Sequence, residues 1–379
     1  MRVLIAPQEF KGTLTGREAA EAIARGICSA RPDWELDVAP LADGGPGTME
    51  ALLAVCGGER RSAQVEDPLG RPVDAAFAIL ADRERTAVVE MAQASGLWRL
   101  ARHELDAERA STFGTGQLVR AALEAGCRSI LVGAGGSATN DGGAGAVEAL
   151  GARLLDDSGH PLPRGGAALT RLARLEIGGL HPALREADLR VATDVRTPLL
   201  GPSGATYVFG PQKGAEGHAL EVLEAALARF ARVVAETTGR DLSAQEGAGA
   251  AGGLAFGLVA LAGARIAGGF EEVSRALDLP RRLAWADVAI TGEGRLDDQT
   301  RFGKGPGAVA TEARRLGKRA VCFAGVVIAG RELFDEVIQV SPAGAPPPAR
   351  AAAADALEAS ARAWAARFEA VLTPRRGDP

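Results

Sequence analysis

Short apolar runs alternate with helical segments at both ends of this 379-residue chain, and this alternation constrains its fold more than any other feature. Residues 2–6 and 35–41 predict strands, because apolar runs of about four to eight residues bounded by turns are typical of buried strands. Thr15 and Glu18 have the spacing of a capping box, which predicts a helix between these strands that reaches about residue 30. Towards the other end of the chain, strands are predicted at 288–291, 320–324 and 336–340.

Five strands that alternate with helices predict a parallel, doubly wound α/β sheet. We expect the flavodoxin-like (Rossmann-like) order 2-1-3-4-5, with ligands bound where the order reverses, at the carboxyl ends of strands 1 and 3. The loops after strands 1, 2 and 3 have the sequences PQEFKGT, ADGGPGT and TGEGRLDDQT. These three loops would therefore lie on one rim of the sheet.

The middle of the chain predicts a large second α/β domain inserted into the first. We expect a discontinuous flavodoxin-like domain of residues 1–62 and 284–379, and an inserted domain of residues 63–283. The length agrees with two domains, at about 150 residues per domain. Within the insert, we expect a hairpin that turns near 81–84, strands at 129–132 and 189–192, and helices at 115–125 and 218–238.

Composition and charge argue against several classes of protein. Lysine and arginine total 43 against 48 aspartate and glutamate, so we expect no basic face for nucleic acid. No apolar stretch approaches the roughly 20 residues of a membrane helix, and no signal peptide is predicted. The four cysteines lie far apart and the four histidines lack ligand spacing, which argues against disulfides and zinc. We expect a cytoplasmic protein with neither nucleic-acid nor membrane partners.

Glycine is frequent and clustered in this chain. With 49 of 379 residues, its share is about twice the usual ~7%. The clusters lie at 42–48, 133–145, 247–253 and 291–297. Clustered glycine is typical of backbone that approaches a ligand closely, and ordinary turns are the alternative. The third cluster, GAGAAGG, has the GxGxxG spacing of dinucleotide sites, but no strand is predicted before it, which argues against a dehydrogenase.

Three of the four lysines lie in glycine-bearing loops: Lys11 in EFKGT, Lys213 in GPQKGA and Lys304 in RFGKGPG. Asn140, the only asparagine, lies in the second glycine cluster. Lysine is a compact, mobile point charge, which suits a phosphoryl group that moves during a reaction. A Walker A loop is absent, since Lys213 and Lys304 are each followed by glycine, so a kinase of this sequence would not be a P-loop kinase.

Acidic residues accompany these loops. Phosphoryl transfer requires cations or backbone N–H groups on the phosphate, a carboxylate-bound Mg²⁺, and a carboxylate that orients or deprotonates the acceptor hydroxyl. The candidate cations are Lys11, Lys213, Arg295 and Lys304. The candidate carboxylates are Asp43, Asp141, Asp194, Glu293 and Asp297. For each acid, a structural role in a loop turn or a helix cap is the alternative.

With these residues in place, the sequence resembles the bacterial type I glycerate kinase (glycerate 2-kinase) family. The resemblance covers nearly the whole chain, through FKGTLT (10–15), ADGG-GT (42–48), EMAQASGL (90–97), TFGTGQL (112–118), GGSATNDGGAG (135–145), TDV with PLLGPSGA and VFGPQKGA (193–215), GAGAAGGLAFG (247–257) and ITGEGRLDDQT with GKGP (290–306). It implies a flavodoxin-like domain with a large inserted α/β domain and an active site in the cleft between them. It also implies ATP- and Mg²⁺-dependent phosphorylation of D-glycerate, with 2-phosphoglycerate as the expected product.

The resemblance carries functional residues onto matching positions, to which we assign expected roles. The expected catalytic residues are Asp194 as acceptor base, with Lys11 and Arg295 on the glycerate carboxylate or the transferred phosphate. The expected substrate-binding residues are Asp43, Gly44, Gly45, Ser137, Asn140 and Asp141. The expected ATP-binding residues are Lys213, Glu293, Asp297 and Lys304. The expected metal ligands are Asp43 and Asp297.

Two departures from the family pattern leave alternatives open. Relatives commonly have an acid and a serine where this chain has Gln8 and Glu9, and a glutamate where it has Pro46. Proline suits the first turn of a helix but cannot bind a metal. The alternatives are a kinase for another small hydroxy acid, and a catalytically silent paralogue that binds glycerate or nucleotide. The sequence leaves the oligomeric state open between monomer and homodimer.

Overall fold

The computed structural model describes residues 1–10, 12–298, 300, 305–341 and 349–368. In chain order, its strands are β1 (Arg2–Pro7), β2 (Glu35–Val38), β3 (Gly58–Glu66), β4 (Pro72–Leu80), β5 (Ala87–Glu90), β6 (Ser129–Gly133), β7 (Arg153–Leu155), β8 (Arg174–Glu176), β9 (Asp188–Ala192), β10 (Arg265–Ala267), β11 (Val288–Leu296), β12 (Arg319–Val327) and β13 (Glu336–Gln339). Its α-helices are α1 (Gly16–Ala30), α2 (Thr48–Cys56), α3 (Ala92–Ser95), α4 (Phe113–Glu124), α5 (Ala144–Ala149), α6 (Ala205–Phe209), α7 (His218–Thr238), α8 (Ala250–Ala262), α9 (Gly269–Ala276), α10 (Leu279–Trp285), α11 (Pro306–Arg315) and α12 (Arg350–Arg367). Among the described residues, these helices include none with the length and apolar character needed to cross a membrane.

The chain folds into two compact units. The first comprises Met1–Leu41 and Asp278–Pro379, and the second comprises Ala42–Leu277. These boundaries differ from the expected ones, which lie after residues 62 and 283. Helix α2 packs against β4, β5 and α9, and therefore belongs to the second unit. Helix α10 packs against α11 and β1, and therefore belongs to the first.

The first unit has a five-stranded sheet in the order β13-β12-β11-β1-β2, with every neighbouring pair parallel. This is the order 2-1-3-4-5 that the sequence predicts. The predicted capping box is also confirmed, since the Thr15 hydroxyl accepts the Glu18 N–H and the Glu18 carboxylate accepts the Thr15 N–H. Helices α1 and α12 cover one face, where Ile23 and Trp364 are fully buried with the apolar residues of β1 and β11.

The second unit has a six-stranded mixed sheet in the order β10-β9-β6-β5-β4-β3. Strands β10, β9, β6 and β5 run parallel to one another, whereas β4 pairs antiparallel with β5 and with β3. The predicted hairpin is the β4–β5 pair, while β3 is a strand that the sequence reasoning did not predict. Because the carboxyl ends of parallel strands meet at one edge, the loops after β5, β6, β9 and β10 are neighbours.

The third glycine cluster opens helix α8 rather than a nucleotide-binding strand–turn–helix. Residues 240–249 contain no strand. Within α8, the backbone of Ala251, Gly252 and Gly253 is left-handed, with φ of 56°, 66° and 89°. A Cβ on Gly252 would overlap the carbonyl oxygen of Thr139, so this turn packs directly on the second glycine cluster. The expectation that GAGAAGG is not a dinucleotide fingerprint agrees with this geometry.

Candidate active site

The loop before α2 holds Asp43 at the carboxyl ends of the parallel strands of the second unit. Asp43 Oδ1 accepts a hydrogen bond from the Gly45 N–H at 3.1 Å, which is an Asx turn. Gly44 has φ of 86°, and a Cβ on it would lie 2.6 Å from the carbonyl oxygen of Ala192, the last residue of β9. The Gly44 carbonyl accepts the N–H of Gly135, just after β6, at 3.2 Å. Gly44 and Gly45 therefore allow this loop to pack closely against the ends of β9 and β6, and this packing positions Asp43.

Asp194 follows β9 and meets Asp43 at Gly269, the first residue of α9. Asp194 Oδ1 accepts the Gly269 N–H at 3.0 Å. A Cβ on Gly269 would overlap the carbonyl oxygen of Asp43. The two acids that the sequence places in different motifs are thus brought together, and both side chains are partly exposed. Sequence reasoning missed Gly269, because it lies outside the four glycine clusters; the Gly-Gly pair after a short strand was the available signal.

Asp141 is a buried carboxylate in the loop between β6 and α5. It is 1% exposed, and its oxygens accept the N–H and the hydroxyl of Thr112 at 2.8 and 2.9 Å. The N–H groups of Gly143 and Gly145 donate to it at 3.1 and 3.2 Å. Burial raises the pKa of Asp141, although these hydrogen bonds oppose the rise. These contacts are of the kind expected for the structural alternative, in which Asp141 fixes the conformation of the loop.

Lys213 is also buried, which differs from its expected place on the ATP phosphates. It is 1% exposed, and its Nζ donates to the carbonyl oxygen of Thr139 at 2.7 Å. Burial lowers the pKa of Lys213 to about 7, against the charge of Asp141, which raises it. Asn140, the residue after Thr139, is fully buried as well. Its Nδ2 donates to the Thr206 hydroxyl at 3.1 Å, and its Oδ1 has no hydrogen-bond partner among the described residues.

Glu90, at the end of β5, supports the site and was missed by sequence reasoning. It is 2% exposed, and its Oε1 accepts the N–H of Met49 at 2.8 Å, in the first turn of α2. Burial raises the pKa of Glu90, against hydrogen bonds that lower it. Glu90 thereby anchors the helix that follows the Asp43 loop. Further along the same EMAQASGL segment, Gly96 forms a β-bridge with Ser137, which is 7% exposed.

In the first unit, Glu293, Arg295 and Asp297 lie at or just after the carboxyl end of β11. Glu293 Oε1 accepts the Thr300 hydroxyl at 2.7 Å. The Arg295 Nε lies 3.1 Å from Asp297 Oδ2, and the arginine side chain is 68% exposed. The structure therefore brings these three predicted residues to one strand end, with a charged and accessible guanidinium among them.

The loop after β1 starts beside this strand end, since the Gln8 N–H donates to the Gly292 carbonyl at 2.8 Å. This arrangement agrees with the predicted adjacency of the loops after strands 1 and 3. The predicted Lys11 and Lys304 lie outside the described residues.

The expected metal ligands differ in their surroundings. Among the described residues, no group of three or more His, Cys, Asp or Glu could hold a metal by itself. Mg²⁺ commonly takes one or two carboxylates and completes its shell with phosphate and water. Asp43, which shares Gly269 with Asp194, fits that pattern. Asp297 fits it less well, because its carboxylate is paired with Arg295.

Comparison with known proteins identifies the family. A family model described as the glycerate kinase family matches residues 3–370. The chain is 45% identical over 327 residues to a glycerate kinase of Bacillus subtilis (strain 168), covering 86% of this chain and 85% of that one. It is 42% identical over 325 residues to a glycerate 2-kinase of Escherichia coli (strain K12), covering 86% and 85%. A crystal structure from Salmonella typhimurium LT2, provisionally described as glycerate kinase 2, matches with a TM-score of 0.86 and 41% identity over 97% of both chains. The chain therefore belongs to the glycerate kinase family and is a kinase.

Proposed function

We propose that this kinase transfers the γ-phosphoryl group of ATP to D-glycerate and forms 2-phosphoglycerate. The observation that carries the proposal is the meeting of Asp43 and Asp194 at Gly269, beside the glycine-rich strand ends, in a chain of this family. The Escherichia coli relative is named a glycerate 2-kinase, which supports the 2-position as the acceptor.

Asp194 is the proposed general base. Its Oδ1 is held by the Gly269 N–H, which orients the carboxylate. The carboxylate takes the proton of the glycerate hydroxyl as that oxygen bonds to the γ-phosphorus; the bond from phosphorus to the ADP oxygen breaks, and the proton later leaves to water. A positioned base of this kind contributes about 10²- to 10⁴-fold in rate.

Asp43 is proposed to hold Mg²⁺ or the substrate hydroxyls. When bound, Mg²⁺ neutralises charge on the phosphates. Pro46, where relatives commonly have a glutamate, supplies no ligand, and its ring lies 3.2 Å from where a Cβ on Gly136 would be. Asp43 is therefore the only acid that the loop 42–48 offers for metal or substrate binding in this chain.

The charged residues of the first unit are proposed to bind anionic groups and nucleotide. Arg295, with its exposed side chain, and Lys11 are assigned to the glycerate carboxylate or the transferred phosphate. Glu293, Asp297 and Lys304 are assigned to ATP. These assignments rest on the family motifs and, for the three described residues, on their shared strand end.

Lys213 is proposed to position the second glycine cluster rather than to touch ATP, and Asn140 and Asp141 to position it rather than to touch glycerate. All three are buried, and their hydrogen bonds run to Thr139, Thr206, Thr112 and the loop itself. The loop can then present backbone N–H groups and the Ser137 side chain to an anionic group.

We also propose that the first unit is a flavodoxin-like domain and that the second, Ala42–Leu277, is an insertion into it. The all-parallel order of the first sheet supports this interpretation.

The activity is tested by ADP release from ATP and Mg²⁺, with and without D-glycerate. We expect release that depends on D-glycerate, and a phosphorus NMR spectrum of the product that shows 2-phosphoglycerate. Absence of glycerate-stimulated turnover would overturn the proposal. Greater stimulation by another small hydroxy acid would assign a different acceptor, for which Gln8 and Pro46 supply the reason, and a 3-phosphoglycerate spectrum would reverse the position of transfer.

The packing of Asp43 and Asp194 against Gly269 leads to a separate prediction. We expect Gly269→Ala to lower kcat by about 100-fold, because the methyl group would displace Asp43 from Asp194, and a misplacement of about 1 Å has that effect in well-aligned sites. The matched control is Gly178→Ala, since a Cβ there meets nothing within 4 Å and its φ is ordinary. Steady-state kinetics and thermal unfolding of both variants test this prediction. A wild-type kcat for Gly269→Ala would show that close packing at Gly269 is not needed to align Asp43 with Asp194.

A further inference from the structure

Strand β3 is the outer strand of the six-stranded sheet, and it has nine residues, Gly58–Glu66. The other sheet edges in the described part of the chain are short: β7, β8 and β10 have three residues each, and β2 and β13 have four each. Natural proteins usually shorten such edges, cover them or place charges along them, because unpaired backbone groups attract another strand. Strand β3 is long and carries charges, so the arrangement of these charges decides which strand can pair with it.

The backbone direction along β3 follows from its hydrogen bonds. The Gly57 carbonyl accepts the Ala81 N–H at 3.2 Å, and the Asp67 N–H donates to Arg71 at 2.8 Å, so the odd-numbered residues face β4. The even-numbered residues consequently direct their N–H and C=O groups away from the sheet. The Glu66 N–H does so, and the Gln117 side chain accepts it at 2.8 Å.

Three consecutive outward-facing residues remain along this edge: Arg60, Ser62 and Gln64. All three are exposed. Within the described residues, their backbone N–H and C=O groups make no hydrogen bond. The strand therefore offers three donors and three acceptors in the regular spacing of a β-ladder.

We propose that this edge pairs with β3 of a second copy of the chain, antiparallel and around a two-fold axis at Ser62. In this register Ser62 faces Ser62 of the second copy, and Arg60 faces Gln64 at both ends. The three outward-facing pairs would form six backbone hydrogen bonds and extend two six-stranded sheets into one. The second copy is the fitting occupant because its own charges match this register: each Arg60 comes diagonal to a Glu66, and no two like charges come directly opposite.

The charges along β3 agree with this register. No like charges lie directly opposite, since Arg60 faces Gln64, Arg61 faces Ala63 and Glu59 faces Val65. Arg60 is a diagonal neighbour of Glu66 in the second copy, within reach of a long side chain.

The arginines of β3 are neutralised within their own chain, so they do not repel a second copy. Arg60 pairs with Glu50 at 2.8 Å, and Arg61 pairs with Glu59 at 2.5 Å. The diagonal approach of Arg61 to its own copy is thereby screened.

Cysteine cross-linking tests the register directly. In a Cys28→Ser background, which removes the exposed native thiol, we expect Ser62→Cys to form a disulfide-linked dimer. Directly opposite Cα atoms in such a pair lie about 5.5 Å apart, within disulfide range. Arg60→Cys and Gln64→Cys should each form no disulfide-linked dimer under the same oxidation, because each cysteine is about 14 Å from its own copy. A mixture of these two variants should cross-link.

Light scattering after size exclusion, over a range of protein concentrations, tests the association itself. We expect the wild type to approach the mass of two chains as concentration rises. Ser62→Pro should remain a monomer with wild-type thermal stability, because it removes an outward N–H and leaves the β3–β4 ladder intact; Ser62→Thr is the control that keeps the N–H. A monomer at every concentration, or cross-linking of Arg60→Cys alone as efficient as that of the mixture, would overturn the proposal.

Discussion

Asp194→Asn is expected to lower kcat by about 10²- to 10⁴-fold while leaving the fold and its thermal stability unchanged. The asparagine Oδ1 can still accept the Gly269 N–H, which Asp194 accepts at 3.0 Å, so the junction at α9 is kept. What the variant loses is the negative charge and the ability to take a proton. ADP release with D-glycerate, measured beside thermal unfolding, separates these two effects.

The matched control for this variant is Asp241→Asn. Asp241 is an exposed loop aspartate whose Oδ1 accepts the Ser243 N–H at 2.9 Å, so it makes the same kind of contact away from the candidate site. We expect its kcat to equal that of the wild type. If Asp194→Asn also retained wild-type kcat, Asp194 would not be the base. If it instead unfolded at a clearly lower temperature, the carboxylate would be required for folding.

The architecture of the first unit could be predicted because its signals are local. Apolar runs, the capping box at Thr15 and the loops after each strand all lie within short segments, and the rule for doubly wound sheets orders the strands. The predicted domain boundary after residue 62 differs from the unit boundary after Leu41, and nothing in the sequence near α2 shows that Met49 bonds to Glu90, 41 residues away.

Strand β3 shows a different limit. Its sequence GERRSAQVE is mostly charged or polar, and the alternation expected of a half-buried strand is carried only by Ala63 and Val65. An edge strand has only one neighbouring strand and needs little apolar pattern to form. Pairing with β4 therefore makes residues 58–66 a strand, although their own sequence does not predict one.

The candidate site was predicted as a set of residues, but not as an arrangement. The sequence places Asp43 and Asp194 in separate motifs, and their common neighbour Gly269 lies 75 residues beyond Asp194. Likewise, Lys213 follows a turn and precedes a glycine, a context typical of an exposed lysine. Its burial results from packing on Thr139, 74 residues earlier in the chain. Such long-range contacts leave no local signal.

Lys213→Met is expected to stabilise the protein near pH 7 and to flatten the dependence of its stability on pH. Burial lowers the pKa of Lys213 from 10.5 to about 7. Between these two pH values the unfolded chain carries a proton that the folded protein lacks, so wild-type stability rises with pH across this window. Below pH 7 the amine is charged in both states and the full cost remains, about 5 kcal/mol at 1.36 kcal/mol per pKa unit.

Methionine fills a similar volume without a charge, but it gives up the hydrogen bond to Thr139, which contributes roughly 1–2 kcal/mol. The variant should therefore be more stable than the wild type by about 3 kcal/mol at pH 7. The difference should fall to zero above about pH 9 and reverse towards pH 10, where the lost hydrogen bond outweighs the remaining cost of the buried amine. Asp141, the ionisable group that acts on Lys213 electrostatically, is present in both proteins, so the comparison largely cancels its own titration. Urea unfolding at pH 6 to 10 measures the difference.

Lys318→Met is the control, since Lys318 is the other lysine in the described part of the chain and is partly exposed. Its stability curve should run parallel to that of the wild type, and a parallel curve for Lys213→Met would refute the buried-amine account.

Kinetics of Lys213→Met add an independent test of the proposed role of Lys213 in positioning the second glycine cluster. Loss of the hydrogen bond from Lys213 to Thr139 should lower kcat with little change in the KM for ATP, because the second glycine cluster and not the nucleotide loses a contact. A raised KM for ATP with unchanged kcat would return Lys213 to the ATP phosphates, and would require a conformation in which its ammonium leaves Thr139 for solvent.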